Sequence, residues 1–177
     1  MTDCCVRPRN ALGRRHARAH DGGMDDERIH LSRTVPSVYE KLAAFSSEVA
    51  KVAKEAGVPL ATAELVQLHA SQLNGCAFCI RVHTKRLIDA GESPERLAML
   101  PAWRESGIYD ERERAALTLV ESITLIRDGG LSEHAYRDVL DFLSVDEYAA
   151  VAWIGVAINA FNRVAITGRY ATEPADD

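Results

Sequence analysis

Residues 64–83 read ELVQLHASQLNGCAFCIRVH, and this stretch contains two helical patterns separated by the turn signal Asn74-Gly75. Asparagine followed by glycine favours a tight turn, because both residues tolerate a left-handed backbone conformation. We predict one helix over about residues 60–73 and a second from about Cys76 to Ala90, with Gly91 as its cap. The chain can fold back at this turn and bring the two helices together.

Helical patterns dominate the chain from residue 36 onward. Pro36 can open a helix at its first turn, and Gly57 is a suitable stop. Between them, apolar residues form one stripe at steps of three and four: Val38, Leu42, Phe45, Val49, Val52 and Ala56. Further helix starts are predicted at Ser93-Pro94, at Asp110 with Glu113 (a helix to about Arg127), at Ser132 and at Ser144 with Glu147. No strand signal or internal repeat is evident, so the sequence predicts an all-α bundle of about six or seven helices.

The last predicted helix, about residues 145–166, is apolar nearly all round. Its apolar residues include Val151, Ala152, Trp153, Ile154, Val156, Ile158, Phe161, Val164 and Ile166. A helix that is apolar on every side is buried on every side, which a bundle this small cannot easily achieve alone. We therefore expect burial against another subunit. The polar exceptions Asn159, Asn162 and Arg163 are expected to bond across subunits, near a site, or within a buried network.

Length, composition and charge fit one globular domain. The chain has 177 residues, 47% of them hydrophobic and 27% charged. Outside residues 1–23, 16 basic residues face 24 acidic ones, which argues against a nucleic-acid surface. No uninterrupted apolar run reaches the ~20 residues that span a bilayer, and no secretory signal is evident. We expect a cytoplasmic protein that does not enter a membrane.

Residues 1–23 differ from the rest, because they are basic and lack apolar periodicity. We expect either a disordered leader or an upstream start codon with Met24 as the true first residue. A single helical domain would then cover residues 24–177. Cys4 and Cys5 lie in this leader, and without a secretory signal no disulfide framework is expected.

The informative cysteines are Cys76 and Cys79, which form a C-x-x-C pair. At about 100° per residue, Cys79 and His83 both lie within about 60° of Cys76 on one helix face. His83 is one turn from Cys79, close enough to act on it. The break at Asn74-Gly75 also lets Glu64 come beside His83, where a carboxylate would orient the imidazole and raise its basicity.

These residue types fit thiol redox chemistry. A free thiol with a pKa of about 8.5 is only a few per cent thiolate at neutral pH, and a helix N-terminus lowers that pKa. We therefore expect a lowered thiol pKa, with His83 as the proton acceptor. The thiolate would attack a peroxide O–O bond and become a sulfenic acid, which the other cysteine converts to a disulfide. An external dithiol would then reset the pair by exchange.

Other interpretations of the same residues remain open. The cysteines could be two small core residues or half of a zinc site. Zinc usually takes four ligands, and the candidates would be Cys76, Cys79, His83 and either His69 or Glu64. No second C-x-x-C or H-x-x-x-H completes the usual pattern. We expect His69 to pack in a helix interface without a chemical role.

The spacing of Glu64, Cys76, Cys79 and His83 resembles the signature of the AhpD-like alkylhydroperoxidases, which belong with the carboxymuconolactone decarboxylase superfamily. Residues 84–92, 103–117 and 159–165 also resemble this family, so the similarity covers about residues 30–170. The resemblance implies an AhpD-like helical bundle, homo-oligomers (dimers, trimers or hexamers) and no metal or organic cofactor. It also implies thiol-dependent reduction of hydroperoxides in antioxidant defence.

By position, the resemblance implies that Cys79 attacks, Cys76 resolves, and Glu64 and His83 form a proton relay. A lipoyl or thioredoxin-like dithiol would be the reductant. One departure matters, because AhpD proteins proper have a histidine directly before the second cysteine and this chain has Phe78. The natural oxidant and reductant therefore stay open. A zinc-binding or non-catalytic oligomeric module is an alternative, as is a cofactor-free enzyme acting on a lactone or related carbon acid with His83 as base.

Overall fold

The computed structural model describes residues 28–172. Within this range it contains α-helices and no strand, so the all-α prediction is confirmed. The helices are α1 Leu31–Thr34, α2 Pro36–Glu55, α3 Leu60–Asn74, α4 Ala77–Asp89, α5 Pro94–Met99, α6 Glu111–Thr124, α7 Glu133–Leu140 and α8 Val145–Gly168. Short 3₁₀ turns follow α5 at Leu100–Ala102 and α6 at Ile126–Asp128. The predicted leader over residues 1–23 lies outside the described residues.

Local capping signals explain where the helices begin. At α6 the Asp110 carboxylate accepts from the Glu113 amide at 2.8 Å, and Glu113 accepts from the Asp110 amide at 3.0 Å. The same reciprocal box joins Ser144 and Glu147 at the start of α8. Each box satisfies amide groups that a helix N-terminus leaves without an intrahelical partner. These predicted starts are confirmed.

Two details differ from the sequence prediction. The described chain has eight α-helices rather than six or seven, because α1 forms a single turn ahead of Pro36. That turn is too short to have an apolar period, and Val35 leaves the helical conformation because the following proline ring disfavours it. The helix predicted to reach Arg127 ends at Thr124, and a 3₁₀ turn continues it to the left-handed Gly129.

Helices α3 and α8 form the centre of the bundle. Helix α3 packs against α4, α6 and α8, and α8 also packs against α2 and α6. The residues buried between them include Leu65, Leu68, Leu117, Val120, Val151 and Ile158. This arrangement brings the turn between α3 and α4 close to the polar residues of α8.

Helix α8 is not buried on every side within one chain, and the burial against another subunit that we expect from its composition stays a prediction. Trp153 is 52% exposed and Val156 is 44% exposed. By length and a mean hydropathy of 1.5, α8 could also cross a membrane, yet half of its most apolar window is buried inside the bundle. A central core helix has the same composition, so this feature does not favour a membrane span.

Candidate active site at the turn between α3 and α4

The turn between α3 and α4 sets the position of the cysteines. Gly75 adopts a left-handed conformation with φ 67°, which closes α3. The amide of Cys76 then donates back to the carbonyl of Ser71 at 2.9 Å, as in a Schellman cap. Cys76 becomes the N-cap of α4, and Cys79 lies in its first turn. A side chain at residue 75 would be strained in this backbone conformation.

Both cysteines are free thiols and both are buried. Burial raises the pKa of Cys79, and the neighbouring Cys76 raises it further, whereas a hydrogen bond from Asn162 acts in the opposite direction. The expected lowering of the thiol pKa is therefore not found at Cys79. The helix N-terminus does not offset the loss of solvent around this sulfur, because desolvation penalises the charged form. The two sulfurs share one site, so ionisation of one disfavours ionisation of the other.

Glu64 and His83 form the predicted pair across the α3–α4 turn. His83 Nδ1 lies 2.6 Å from Glu64 Oε2, and both side chains are largely buried. Burial acts to raise the pKa of Glu64, but the hydrogen bond and charge of His83, followed by Arg86, hold it below the ordinary value. The carboxylate is thus ionised at neutral pH and accepts a hydrogen bond from the Nδ1–H group of His83. With Nδ1 engaged by Glu64, Nε2 is the ring atom that is left to act as a base.

Arg86 is a second partner of Glu64, and the sequence analysis missed it. Its guanidinium donates to the second oxygen of Glu64 at 3.2 Å, although the Arg86 side chain is itself 58% exposed. Both oxygens of the carboxylate are therefore held. The signal in the sequence is weak, because Arg86 lies in a run of basic residues that reads as a solvated helix face.

The polar residues of α8 approach the same turn. Asn74 donates to Asn159 Oδ1 at 2.9 Å and to Asn162 Oδ1 at 2.8 Å. Asn162 is fully buried and donates to Ser71 Oγ at 3.1 Å. The sequence left open whether these polar residues bond across subunits, near a site or within a buried network. In the structure they form a hydrogen-bonded network within one chain, beside the dithiol. Asn74 entered the sequence analysis only as a turn former.

Aromatic residues from both ends of the described chain meet at Phe78, between the cysteines. The Tyr170 ring lies edge-on to Phe78 at 5.4 Å between centroids and stacks on His30 at 4.9 Å. Ser32 also forms a hydrogen bond with the Tyr170 hydroxyl. Phe78 therefore packs in an aromatic cluster and takes no part in proton transfer. This agrees with the departure from the AhpD pattern, in which a histidine stands at this position.

An apolar cavity of about 480 Å³ reaches the Glu64 side of the site. It lies between α2, α3 and α8, and polar groups of its wall come from Ser46, Lys54, Glu64 and Gln67. Its apolar lining includes Val49, Ala53, Val58, Leu60, Ala63, Ile154 and Ala157. The cavity thus joins an apolar space to the carboxylate that orients His83.

A second carboxylate–imidazole pair lies on the other side of α3. His69 is buried, and its Nε2 lies 3.1 Å from Glu121, which also accepts from Arg104 at 2.7 Å and from Trp103 at 3.3 Å. Burial lowers the pKa of His69, while Glu121 opposes that shift. The pair joins α3 to α6, which fits the interface role expected of His69.

The zinc interpretation finds no ligand set in the described part of the chain. Among residues 28–172, no three His, Cys, Asp or Glu side chains are grouped so that they could hold a metal ion. Cys76 and Cys79 would have to recruit further ligands, and His83 Nδ1 is already committed to Glu64.

Comparison with known proteins gives a consistent assignment. The model of the carboxymuconolactone decarboxylase family matches residues 36–122. The uncharacterized protein YdfG of Bacillus subtilis is 36% identical over 119 residues, which span 67% of this chain and 81% of YdfG. The crystal structure of ATU0492 from Agrobacterium tumefaciens, a protein of unknown function proposed to be the antioxidant defence protein AhpD, is also similar. Its TM-score is 0.77 at 30% identity, with 85% of this chain and 99% of that chain covered.

A more distant structure shares the fold. It is an uncharacterized peroxidase-related protein from Silicibacter sp. TM1040, with a TM-score of 0.65 at 20% identity, covering 75% of this chain and 70% of the other. The helical bundle and the matches to YdfG and ATU0492 agree. The chain belongs to the carboxymuconolactone decarboxylase family, in the superfamily that also contains AhpD.

Proposed function

We propose that this protein is a thiol peroxidase that reduces hydroperoxides through a dithiol–disulfide cycle of Cys76 and Cys79. One observation carries the proposal: a buried, reduced C-x-x-C pair opens α4, and a carboxylate-oriented His83 lies one turn beyond Cys79. This arrangement is typical of nucleophilic catalysis, with Cys79 as the nucleophile, His83 as the base and Glu64 as the group that orients the base. The family membership described above is consistent with it.

The cycle has three balanced steps. The Cys79 thiol gives its proton to His83, and its sulfur attacks the peroxide, so that an S–O bond forms and the O–O bond breaks. The leaving alkoxide takes up a proton and departs as an alcohol. Cys76 then attacks the sulfenic acid to form a disulfide and release water. An external dithiol reduces that disulfide by exchange and becomes a disulfide itself.

Because the pKa of Cys79 is raised, the reaction requires a general base, and we assign that role to His83. A sulfur that holds its proton at neutral pH cannot rely on a standing thiolate population. A base must remove the proton as the peroxide reacts, and general base catalysis of this kind contributes typically 10²–10⁴-fold. Glu64 stabilises the imidazolium that results, because its own carboxylate stays ionised.

The surroundings of the site favour apolar substrates and a slender reductant. The apolar cavity beside Glu64 suits the alkyl group of an organic hydroperoxide better than hydrogen peroxide. Cys76 and Cys79 are each at most 5% exposed. A narrow lipoyl arm can therefore reach their sulfurs more readily than the flat surface of a protein reductant can. We infer an organic hydroperoxide as oxidant and a lipoyl-type dithiol as reductant.

A direct assay tests the proposed function. Cumene hydroperoxide and dihydrolipoamide are incubated with the protein, and consumption of both is followed. We expect equimolar consumption of the two, and its loss after alkylation of the protein's thiols. Turnover of a lactone that persists after complete alkylation would instead support the carbon-acid alternative.

We also propose that the protein is a cytoplasmic homo-oligomer. Large apolar side chains are exposed on α8 and α2, among them Trp153, Val156 and Val38, and self-association would cover them. Sedimentation equilibrium is expected to give a multiple of the 19.4 kDa chain mass. A monomer at micromolar concentration would contradict this part of the proposal.

A further inference from the structure

Three asparagine amides connect Arg163 to the dithiol, and the first of them has a fixed orientation. Asn159 Oδ1 accepts from the Arg163 guanidinium at 3.0 Å, and its Nδ2 donates to the carbonyl of Gly155 at 2.9 Å. A guanidinium has no acceptor and a carbonyl has no donor. The oxygen and nitrogen of Asn159 therefore cannot be exchanged.

The orientation of the Asn159 amide determines the orientations of the Asn74 and Asn162 amides in turn. The Asn74 atom facing Asn159 Oδ1 at 2.9 Å must be a donor, so it is the amide nitrogen. Its second hydrogen goes to the Asn162 atom at 2.8 Å, which must therefore be the oxygen. Asn162 thus directs its own amide nitrogen to the opposite side. The contacts of Asn159 with the exposed Arg163 and with the carbonyl of Gly155 therefore determine which side-chain atom of the fully buried Asn162 is the nitrogen.

The two hydrogens of Asn162 Nδ2 can then be counted. One goes to Ser71 Oγ at 3.1 Å, and Ser71 must accept because its own hydrogen is donated to the carbonyl of Gln67 at 2.7 Å. The second hydrogen is available to the Cys79 sulfur, which lies within hydrogen-bonding reach of the Asn162 amide. A donor at this position favours negative charge on sulfur, in a site where burial disfavours it.

We propose that Asn162 is a catalytic residue whose amide donates a hydrogen bond to the Cys79 sulfur and stabilises that sulfur when it carries negative charge. Asn74 and Ser71 are positioning residues, because they hold the amide with its nitrogen toward the sulfur. The catalytic consequence rests on the proposed function, whereas the hydrogen bond is a property of the dithiol site itself. The two are therefore tested by different measurements.

The test isolates Cys79 and measures its ionisation. All proteins carry serine at residues 4, 5 and 76, so that Cys79 is the single thiol, and the rate of alkylation by iodoacetamide is followed against pH. We expect Asn162→Leu to raise the midpoint by about one to two pH units. Alkylation at pH 7 would slow by roughly tenfold or more, because a smaller fraction of the sulfur is thiolate.

A matched control removes a buried hydrogen bond from the same network without touching sulfur. Thr124 Oγ1 accepts from Asn159 Nδ2 at 3.0 Å, and Thr124→Val keeps its shape. We expect this variant to keep the alkylation midpoint. An unchanged midpoint in Asn162→Leu, or equal shifts in the two variants, would overturn the inference.

A second variant covers the case in which Asn162→Leu does not fold. Asn162→Asp keeps the volume and the oxygen that accepts from Asn74, but replaces the donor with a carboxylate oxygen. We expect a larger upward shift than for leucine, since a like charge further disfavours the thiolate. Absence of that shift would also overturn the inference. If the Asn162 variants show these shifts but the wild-type protein consumes no hydroperoxide, the inference is sustained and the proposed function is refuted.

Discussion

Replacing Cys79 with serine is expected to reduce hydroperoxide turnover by at least about a thousandfold, because a hydroxyl cannot replace the attacking sulfur. Cys76→Ser should behave differently. It should reduce about one equivalent of peroxide per chain and then stop, because the sulfenic acid at Cys79 has no resolving partner. The measurement is the amplitude of peroxide loss at high protein concentration, without an external dithiol.

This pair of variants also assigns the roles of the two cysteines. A single-equivalent burst in Cys79→Ser, with none in Cys76→Ser, would mean that Cys76 attacks. Steady turnover of either variant once dihydrolipoamide is added would rule out the disulfide cycle. Mass spectrometry of the stalled protein is expected to detect added oxygen on the remaining cysteine.

The second large effect is expected at the proton relay. His83→Phe should lower kcat/KM for the organic hydroperoxide by about 10²–10⁴-fold, since general base catalysis is lost. Glu64→Gln keeps an oxygen that can accept from His83 Nδ1 but removes the charge, so we expect a smaller loss in the same direction. Steady-state kinetics of both variants check this.

The chain offers a matched control for the relay. Glu121→Gln alters the other glutamate–histidine pair, in which a half-buried Glu121 contacts the buried His69 on the far side of α3. We expect it to affect stability and to leave peroxide turnover near that of the wild type. Equal kinetic losses in Glu64→Gln and Glu121→Gln would mean that Glu64 has only a structural role.

The Glu64 pair should also influence stability in acid. The folded-state pKa of Glu64 is lowered, so the pair stabilises the fold above the ordinary glutamate pKa of 4.5. That contribution is lost as the pH falls through the folded-state value. Denaturant unfolding of the wild type and Glu64→Gln is therefore expected to differ near pH 7 and to converge in acid.

The helical hairpin was accessible to sequence analysis, because local chemistry decides it, whereas Glu64 was singled out by its place in the AhpD-like signature. Asn74-Gly75 defines the turn, and capping residues define the helix starts. Once α3 folds back on α4, few positions of α3 can face His83. Glu64 is the charged residue among them, but a single helix glutamate is more often solvated, so the resemblance was needed to single it out.

The thiol environment and the amide network were not accessible, because they depend on distant packing. The raised pKa of Cys79 follows mainly from how completely the folded chain excludes water around the sulfur, which no local pattern reports. Asn162 approaches Ser71 across 91 residues of sequence. The only local sign was polar residues within the apolar α8, and it did not specify which neighbour they would meet.

The most direct measurement of the central claim is a count of free thiols before and after hydroperoxide, in protein with serine at residues 4 and 5. We expect both remaining thiols to disappear together, with one hydroperoxide consumed per chain, and both to return on addition of dihydrolipoamide. Peroxide consumption with both thiols intact, or unreacted peroxide beside two free thiols, would contradict the account.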